Sequence, residues 1–294
     1  MELVQLGEKT YYIKNATNIG IYKIDEKNVY LIDTGNDKDA GKKILKILDE
    51  QGWACKGVIL THSHADHMGG AKLIQDRTNC QVLAHNIETC FAKYPVLEPS
   101  LLYGAYPLKD LQNKFLMAKE TNTLEVEDNL PEGLEMLTLK GHTFDMIGIK
   151  TSDNIYFLGD ALLSEETITK YHLFYLYNVK EFLNTLEYLS TLNGHFYIPS
   201  HIEGTSNIKD LITLNLNKVQ EICQSIYNIC QQEQTMENIL TEIFKKYNLK
   251  MNLNQYVLIG STLKAYVTYL YEEEKLTYKI TENKILWIQK EKME

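Results

Sequence analysis

Thr61-His62-Ser63-His64-Ala65-Asp66-His67 is the stretch on which the reading of this chain turns. Three imidazoles and a carboxylate packed into seven residues are the donors that a borderline divalent cation such as zinc takes. Further on stand His142, Asp160 and His201. Together His62, His64, Asp66, His67, His142, Asp160 and His201 suffice for two ions that keep open positions. They use five of the eight histidines. Lone histidines at strand ends are usually satisfied polar groups, but the combined spacing of this set argues against that for all of them at once.

Each of these residues follows a short apolar run. V-Y-L-I precedes Asp33, G-V-I-L-T precedes His62, L-E-M-L-T-L precedes Gly141-His142, I-Y-F-L precedes Gly159-Asp160, and F-Y-I-P-S precedes His201. Runs of this length and composition, closed by Gly, Asn or Ser, read as buried strands. The donors then lie at strand ends and converge on one rim of a rigid sheet. T-Y-Y-I-K and N-I-G-I-Y-K-I ahead of Asp33 suggest an antiparallel opening to that sheet. Lys38 to Gln51 and Met68 to Thr78 carry helical patterning, with Gly69 and Gly70 letting the second helix come close to the sheet. The architecture expected is two mixed sheets sandwiched between helices.

The donor order resembles that of metallo-β-lactamase-fold hydrolases, in the branch similar to glyoxalase II: H-x-H-x-D-H, then an isolated His, an Asp and a last His, over roughly the first 205 residues. The resemblance implies an α+β fold, the four-layer αββα sandwich. It also implies that His62, His64 and His142 bind one ion, that Asp66, His67 and His201 bind the other, and that Asp160 bridges them. Asp33, in L-I-D-T-G, matches a buried carboxylate behind the ligands that orients one of them. One departure concerns T-P-G, which many relatives carry after the isolated His. Here the residues are Thr143-Phe144-Asp145, which leaves the ligands intact and alters neighbouring contacts. The expected cofactor is two divalent ions, zinc first, with iron or manganese as alternatives.

The expected chemistry is hydrolysis of a small thioester, ester or lactone by a metal-bridging hydroxide, with Asp66 managing the proton. Two other readings use the same residues. One is a phosphodiesterase or ribonuclease of the same fold. The other is a mononuclear iron oxygenase of sulfur compounds, held by His62, Asp160 and one other histidine. A binding module with a vestigial site would need a lost ligand, and none is lost.

Composition fits an enzyme of this size: 294 residues, 44% hydrophobic, can bury a sizeable core. No apolar stretch reaches the ~18 residues of a membrane span, and Met1 to Asn15 lacks a signal-peptide pattern, so a cytoplasmic location is expected. The five cysteines are odd in number and show no C-x-x-C spacing, which points to reduced thiols, mostly buried.

Two segments lie outside the minimal plan, dividing the chain into a catalytic portion, 1–206, and a tail, 207–294. Phe91 to Leu124 is inserted between ligand segments and holds three of the five prolines, and it reads as a lid or a homodimer interface. Tyr94, Tyr103 and Tyr106 are its candidate pocket residues. The tail reads as three helices, the second capped by Thr235, and then a hairpin around Thr281-Glu282-Asn283. That order resembles a winged helix. Nucleic acid is nonetheless not expected as a partner. The tail from residue 206 balances 11 Lys against 11 acids, residues 1–205 carry all of the net charge of -9, and Arg77 is the sole arginine. The acidic balance equally disfavours anionic membranes.

Overall fold

The computed structural model describes residues 1–290. The chain opens as an antiparallel meander of β1 (Glu2–Gln5), β2 (Thr10–Lys14), β3 (Ile19–Lys23) and β4 (Asn28–Ile32). Helix α1 (Lys38–Gln51) then crosses over to β5 (Ala54–Ile59), and α2 (Ala65–Met68) with α3 (Ala71–Thr78) leads to β6 (Gln81–Ala84), both strands parallel to β4. After α4 (Ile87–Lys93), α5 (Leu97–Tyr103) and a 3-10 turn at Lys109–Leu111, β7 (Leu124–Glu125) completes a mixed sheet in the order β1-β2-β3-β4-β5-β6-β7.

A second mixed sheet follows. It comprises β8 (Leu134–Thr138), β9 (Ile147–Thr151), β10 (Ile155–Phe157) and, after α6 (Glu165–Tyr171) and α7 (Val179–Ser190), β11 (Phe196–Ile198), in the order β11-β10-β9-β8. The chain then forms α8 (Lys209–Ile229), α9 (Met236–Lys246) and α10 (Leu253–Glu272) before the hairpin β12 (Leu276–Thr281) and β13 (Lys284–Gln289). Its two-residue turn places Glu282 and Asn283 at φ 50 and 60, the left-handed pair that tight hairpins use.

Strand alternation sets the layers. On β4, Tyr30 and Ile32 face one way and Val29 and Leu31 the other, and Ile59 opposes Val58 and Leu60 in the same manner around β5. The first set meets Ile147, Ile149, Ile155 and Phe157 of the second sheet to form the core between the sheets. The second set packs under Ile44 and Leu48 of α1 and Ile74 of α3. On the far side, Tyr156 and Leu158 pack with Phe182 and Leu186 of α7. The result is the αββα sandwich, with each fully buried Val, Leu, Ile or Phe side chain contributing ~1.5–3 kcal/mol.

The helix expected over Met68 to Thr78 is broken into α2 and α3 at Gly69-Gly70. The close approach there is to the loop before α1 rather than to the sheet itself. A Cβ on Gly69 would stand 2.3 Å from the carbonyl carbon of Asn36 and 2.6 Å from the amide nitrogen of Asp37, both backbone atoms. Asp37 is itself fixed, because its carboxylate caps α1 by accepting from Asp39 and Ala40. Gly69→Ala is therefore expected to destabilise the protein by ~1–3 kcal/mol, the range for overpacking. A chemical denaturation midpoint equal to that of the unaltered protein would show that this backbone contact can open freely.

The C-terminal helices share the apolar core beneath the second sheet: Ile212, Ile222 and Ile226 of α8, Ile243 of α9, and Leu263 and Tyr266 of α10 belong to one buried cluster with Leu158 and Phe182. Buried Asn215 of α8 adds polar pairing, accepting from the Leu163 amide at 3.1 Å and donating to its carbonyl at 2.9 Å. In the inserted segment, the only helical element within residues 108–120 is the short 3-10 turn. Leu102, Leu111 and Leu116 are nonetheless buried together against Val257 of α10. All five cysteines are free, and Cys55, Cys80 and Cys230 are buried. Among the described residues, no helix is long and apolar enough to cross a membrane.

Candidate metal centre

Strand direction explains how distant residues meet. β4 and β5 are parallel, β10 and β11 are parallel, and β8 runs with β10 because both are antiparallel to β9. Asp33, His62, His142, Asp160 and His201 follow these strands and so collect at one rim, where the Ile147 amide joins the two sheets by donating to the Thr61 carbonyl at 2.9 Å. Gly141 lets the His142 loop close down: its φ is 118, and a Cβ there would lie 2.3 Å from the Phe182 amide nitrogen.

All seven expected donors are brought together, in two groups. His62 Nε2 and His142 Nε2 each lie 3.1 Å from His64 Nδ1, so three ring nitrogens converge. Donor atoms of Asp66, His67 and His201 also lie within 4.8 Å of one another. Asp160 stands between the groups. Its Oδ1 is 3.3 Å from both His67 Nε2 and His201 Nε2, and its Oδ2 is 3.4 Å from His142 Nε2. Asp66 is the most open member, with a side chain 45% exposed.

Each histidine turns its other nitrogen outward to a partner. His67 Nδ1 meets Asp33 Oδ2 at 2.8 Å, and His142 Nδ1 meets the Tyr175 carbonyl at 3.0 Å. His201 Nδ1 meets the Ala16 carbonyl at 2.7 Å, and His62 Nδ1 meets Thr61 Oγ1 at 3.1 Å. His64 Nε2 lies 3.5 Å from Glu98 Oε1. The first four are hydrogen bonds that set the tautomer and aim the inward nitrogen, while the His64–Glu98 approach is longer. Asp33 also accepts from the Thr61 amide and hydroxyl, both at 2.8 Å, and holds φ 61, a left-handed conformation that Asp tolerates better than most residues.

The electrostatics differ between the halves. Burial, reinforced by neighbouring imidazoles, drives His62 well below the usual range and His64 to about 3, leaving neutral rings fit to donate lone pairs. His201 is pushed up to about 12, chiefly by Asp160. At His67, burial opposes the charge, but Asp160, Asp66 and Asp33 outweigh it and carry the ring up to about 10. The carboxylate-bearing half thus demands positive charge. Among the described residues, buried His67 Nε2 and Asp160 Oδ1 also find no hydrogen-bond partner. Neutral nitrogens on one side, two carboxylates on the other and orphaned inward atoms between them fit a pair of divalent cations.

Several neighbours escape a reading of the sequence. Tyr94, Tyr103 and Tyr106 are exposed, whereas the tyrosine against the cluster is Tyr175, whose ring centroid lies 5.4 Å from that of His64 and 5.8 Å from that of His142. Glu88 and Glu98 sit behind the three-histidine group. No motif marks them, since single acids in short helices ordinarily read as solvated. At the departure from T-P-G, Thr143 Oγ1 donates to Glu88 at 2.7 Å, Asp145 pairs with Lys140, and Phe144 stacks on Tyr177 at 3.8 Å.

Comparison with known proteins bears on the same region. The sequence model of the metallo-beta-lactamase superfamily matches residues 13–201. A hydroxyacylglutathione hydrolase of Rhodopseudomonas palustris is 29% identical over 129 residues, 44% of this chain and 42% of that protein. Hydroxyacylglutathione hydrolase GloC of Haemophilus influenzae is 26% identical over 139 residues, 47% of this chain and 63% of that protein. The match thus spans less than two thirds of either relative. Among solved structures, a metallo-beta-lactamase family protein from Thermus thermophilus superposes with TM-score 0.70 at 18% identity over 93% of each chain. A beta-lactamase domain protein from Burkholderia ambifaria gives 0.72 at 15% identity, over 98% of this chain and 93% of its own. These two likenesses concern the fold.

Proposed function

The chain belongs to the metallo-beta-lactamase superfamily, and from that premise we propose that it is a two-metal hydrolase of a small thioester, ester or lactone. The observation that carries this reading is Asp160, whose two oxygens face the two donor groups separately. His62, His64 and His142 would hold one ion, Asp66, His67 and His201 the other, with zinc suited to the nitrogen-rich set. A bound pair of this kind supplies an acidified water and polarises the acyl oxygen. The chain's residues do the rest. Asp33 and the Tyr175 carbonyl aim His67 and His142. Half-exposed Asp66 takes the proton of the attacking water and returns it to the leaving group. For a thioester, a C–O bond forms, the C–S bond breaks, and an acid and a thiol leave. The thioester preference draws on the hydroxyacylglutathione hydrolases among the relatives. We place the enzyme in the cytoplasm, and assign the exposed Tyr106 and Phe115 of the inserted segment to a homodimer contact.

One further geometry favours a second reading. His62, His67 and Asp160 also lie within 4.8 Å of one another, a two-histidine, one-carboxylate face of the type that holds a single iron. Elemental analysis of protein purified without added metal separates the two readings. The expected result is two ions per chain, with hydrolysis of thioester or lactone probes that is lost on chelation and regained with zinc. One iron per chain without hydrolysis would favour the oxygenase. Turnover of bis-p-nitrophenyl phosphate alone would favour a phosphodiesterase.

A further inference from the structure

Glu88, 1% exposed, lies on α4, outside the seven donors. Its Oε2 accepts from both the amide (3.0 Å) and the hydroxyl (2.5 Å) of Ser63, the residue between His62 and His64. Its Oε1 accepts from the Thr143 hydroxyl at 2.7 Å and the Asp145 amide at 3.2 Å, just beyond His142. A single carboxylate therefore ties together the two loops that carry all three of the convergent histidines. Four donors on two anionic oxygens make a set that no neutral side chain reproduces.

Glu98 adds a contact to the same group from α5, at His64 Nε2. Both acids are set by what surrounds α4 and α5. Asn86, just before α4, is held at φ 46, ψ −119, a strained conformation for a residue with a side chain, and its amide donates to Glu125 Oε2 at 2.9 Å. Leu102 of α5 is anchored on α10 through Val257.

We propose that Glu88 and Glu98 are positioning residues for the three-histidine half of the centre, so that filling of that half depends on the segment between β6 and β7. This rests on the two-metal reading above and goes beyond it. The segment is then a fixed wall of the site. Shortening it through Glu98 costs an ion, whereas removal of a mobile lid would change KM alone.

The test is a cobalt(II) titration followed by visible absorbance, with His64→Ala and His201→Ala assigning the two binding steps. If the unaltered protein shows only one step, the two-metal reading fails. Given two steps, Glu98→Leu, which fills similar space without an oxygen, is expected to weaken the step lost in His64→Ala by ~10–100-fold, the usual effect of such outer partners. The other step should hold, and Glu98→Gln, which keeps an acceptor, should recover most of the affinity. Glu88→Gln supplies an independent arm with the same expected selectivity. Equal weakening of both steps, or no change in either, would overturn the proposal.

Discussion

Asp160→Asn is expected to yield a folded protein that holds about one ion per chain and whose turnover is lowered by more than ~100-fold, the upper end for partners outside the ligand set. Asp160 presents Oδ1 to His67 and His201 and Oδ2 to His142. Asparagine keeps the shape but has one oxygen, so it can serve one half and must turn an NH2 towards the other. It also removes a negative charge from a buried site designed around cations. Folding should survive, because the substitution is isosteric and introduces no void. Elemental analysis and single-turnover kinetics check the two parts of the expectation. Two ions per chain with unchanged turnover would remove Asp160 from the bridging role.

Truncation after residue 206 should have the largest effect on stability. It would strip Ile212, Ile222, Ile226, Ile243, Leu263 and Tyr266 from the cluster that covers Leu158 and Phe182. At ~1.5–3 kcal/mol for each buried side chain of this kind, the loss is as large as the ~5–15 kcal/mol that holds a typical domain together. It would also leave the Leu163 amide and carbonyl without Asn215, three residues beyond Asp160. The truncated chain is expected in the insoluble fraction, or as a compact state that binds a hydrophobic dye and melts without a cooperative transition. A soluble product with a sharp thermal transition would show that residues 1–206 fold alone.

The strands and the donors were legible in the sequence because their signals are local. An apolar run ended by Asp33, Gly159-Asp160 or Ser200-His201 carries its own reading, and T-H-S-H-A-D-H is compact. The surroundings of the donors were not legible, since they depend on contacts between distant segments. Glu88 reaches Ser63 and Thr143 across 25 and 55 residues, and Tyr175 reaches His142 across 33. Nothing in an isolated acid on a short helix tells a buried clamp from a solvated face. The break between α2 and α3 has no local signal for a related reason. Gly69 and Gly70 read as points of close approach, but the backbone they approach, at Asn36 and Thr34, is supplied by another turn.

The bonds between α8, α10 and the loops behind the donors place the order of synthesis under constraint. Asn215 secures Leu163, and Thr262 Oγ1 accepts from the Leu176 amide at 3.4 Å, next to the carbonyl that aims His142. A chain emerging from a ribosome presents His62 through His201 before α8 and α10 are complete. During that interval it carries every donor and the partners that aim them, but not the Asn215 and Thr262 side chains that hold the loops at Leu163 and Leu176. Final ordering of the loops behind Asp160 and His142 therefore awaits the last helices, and metal loading that depends on those loops is expected to follow release.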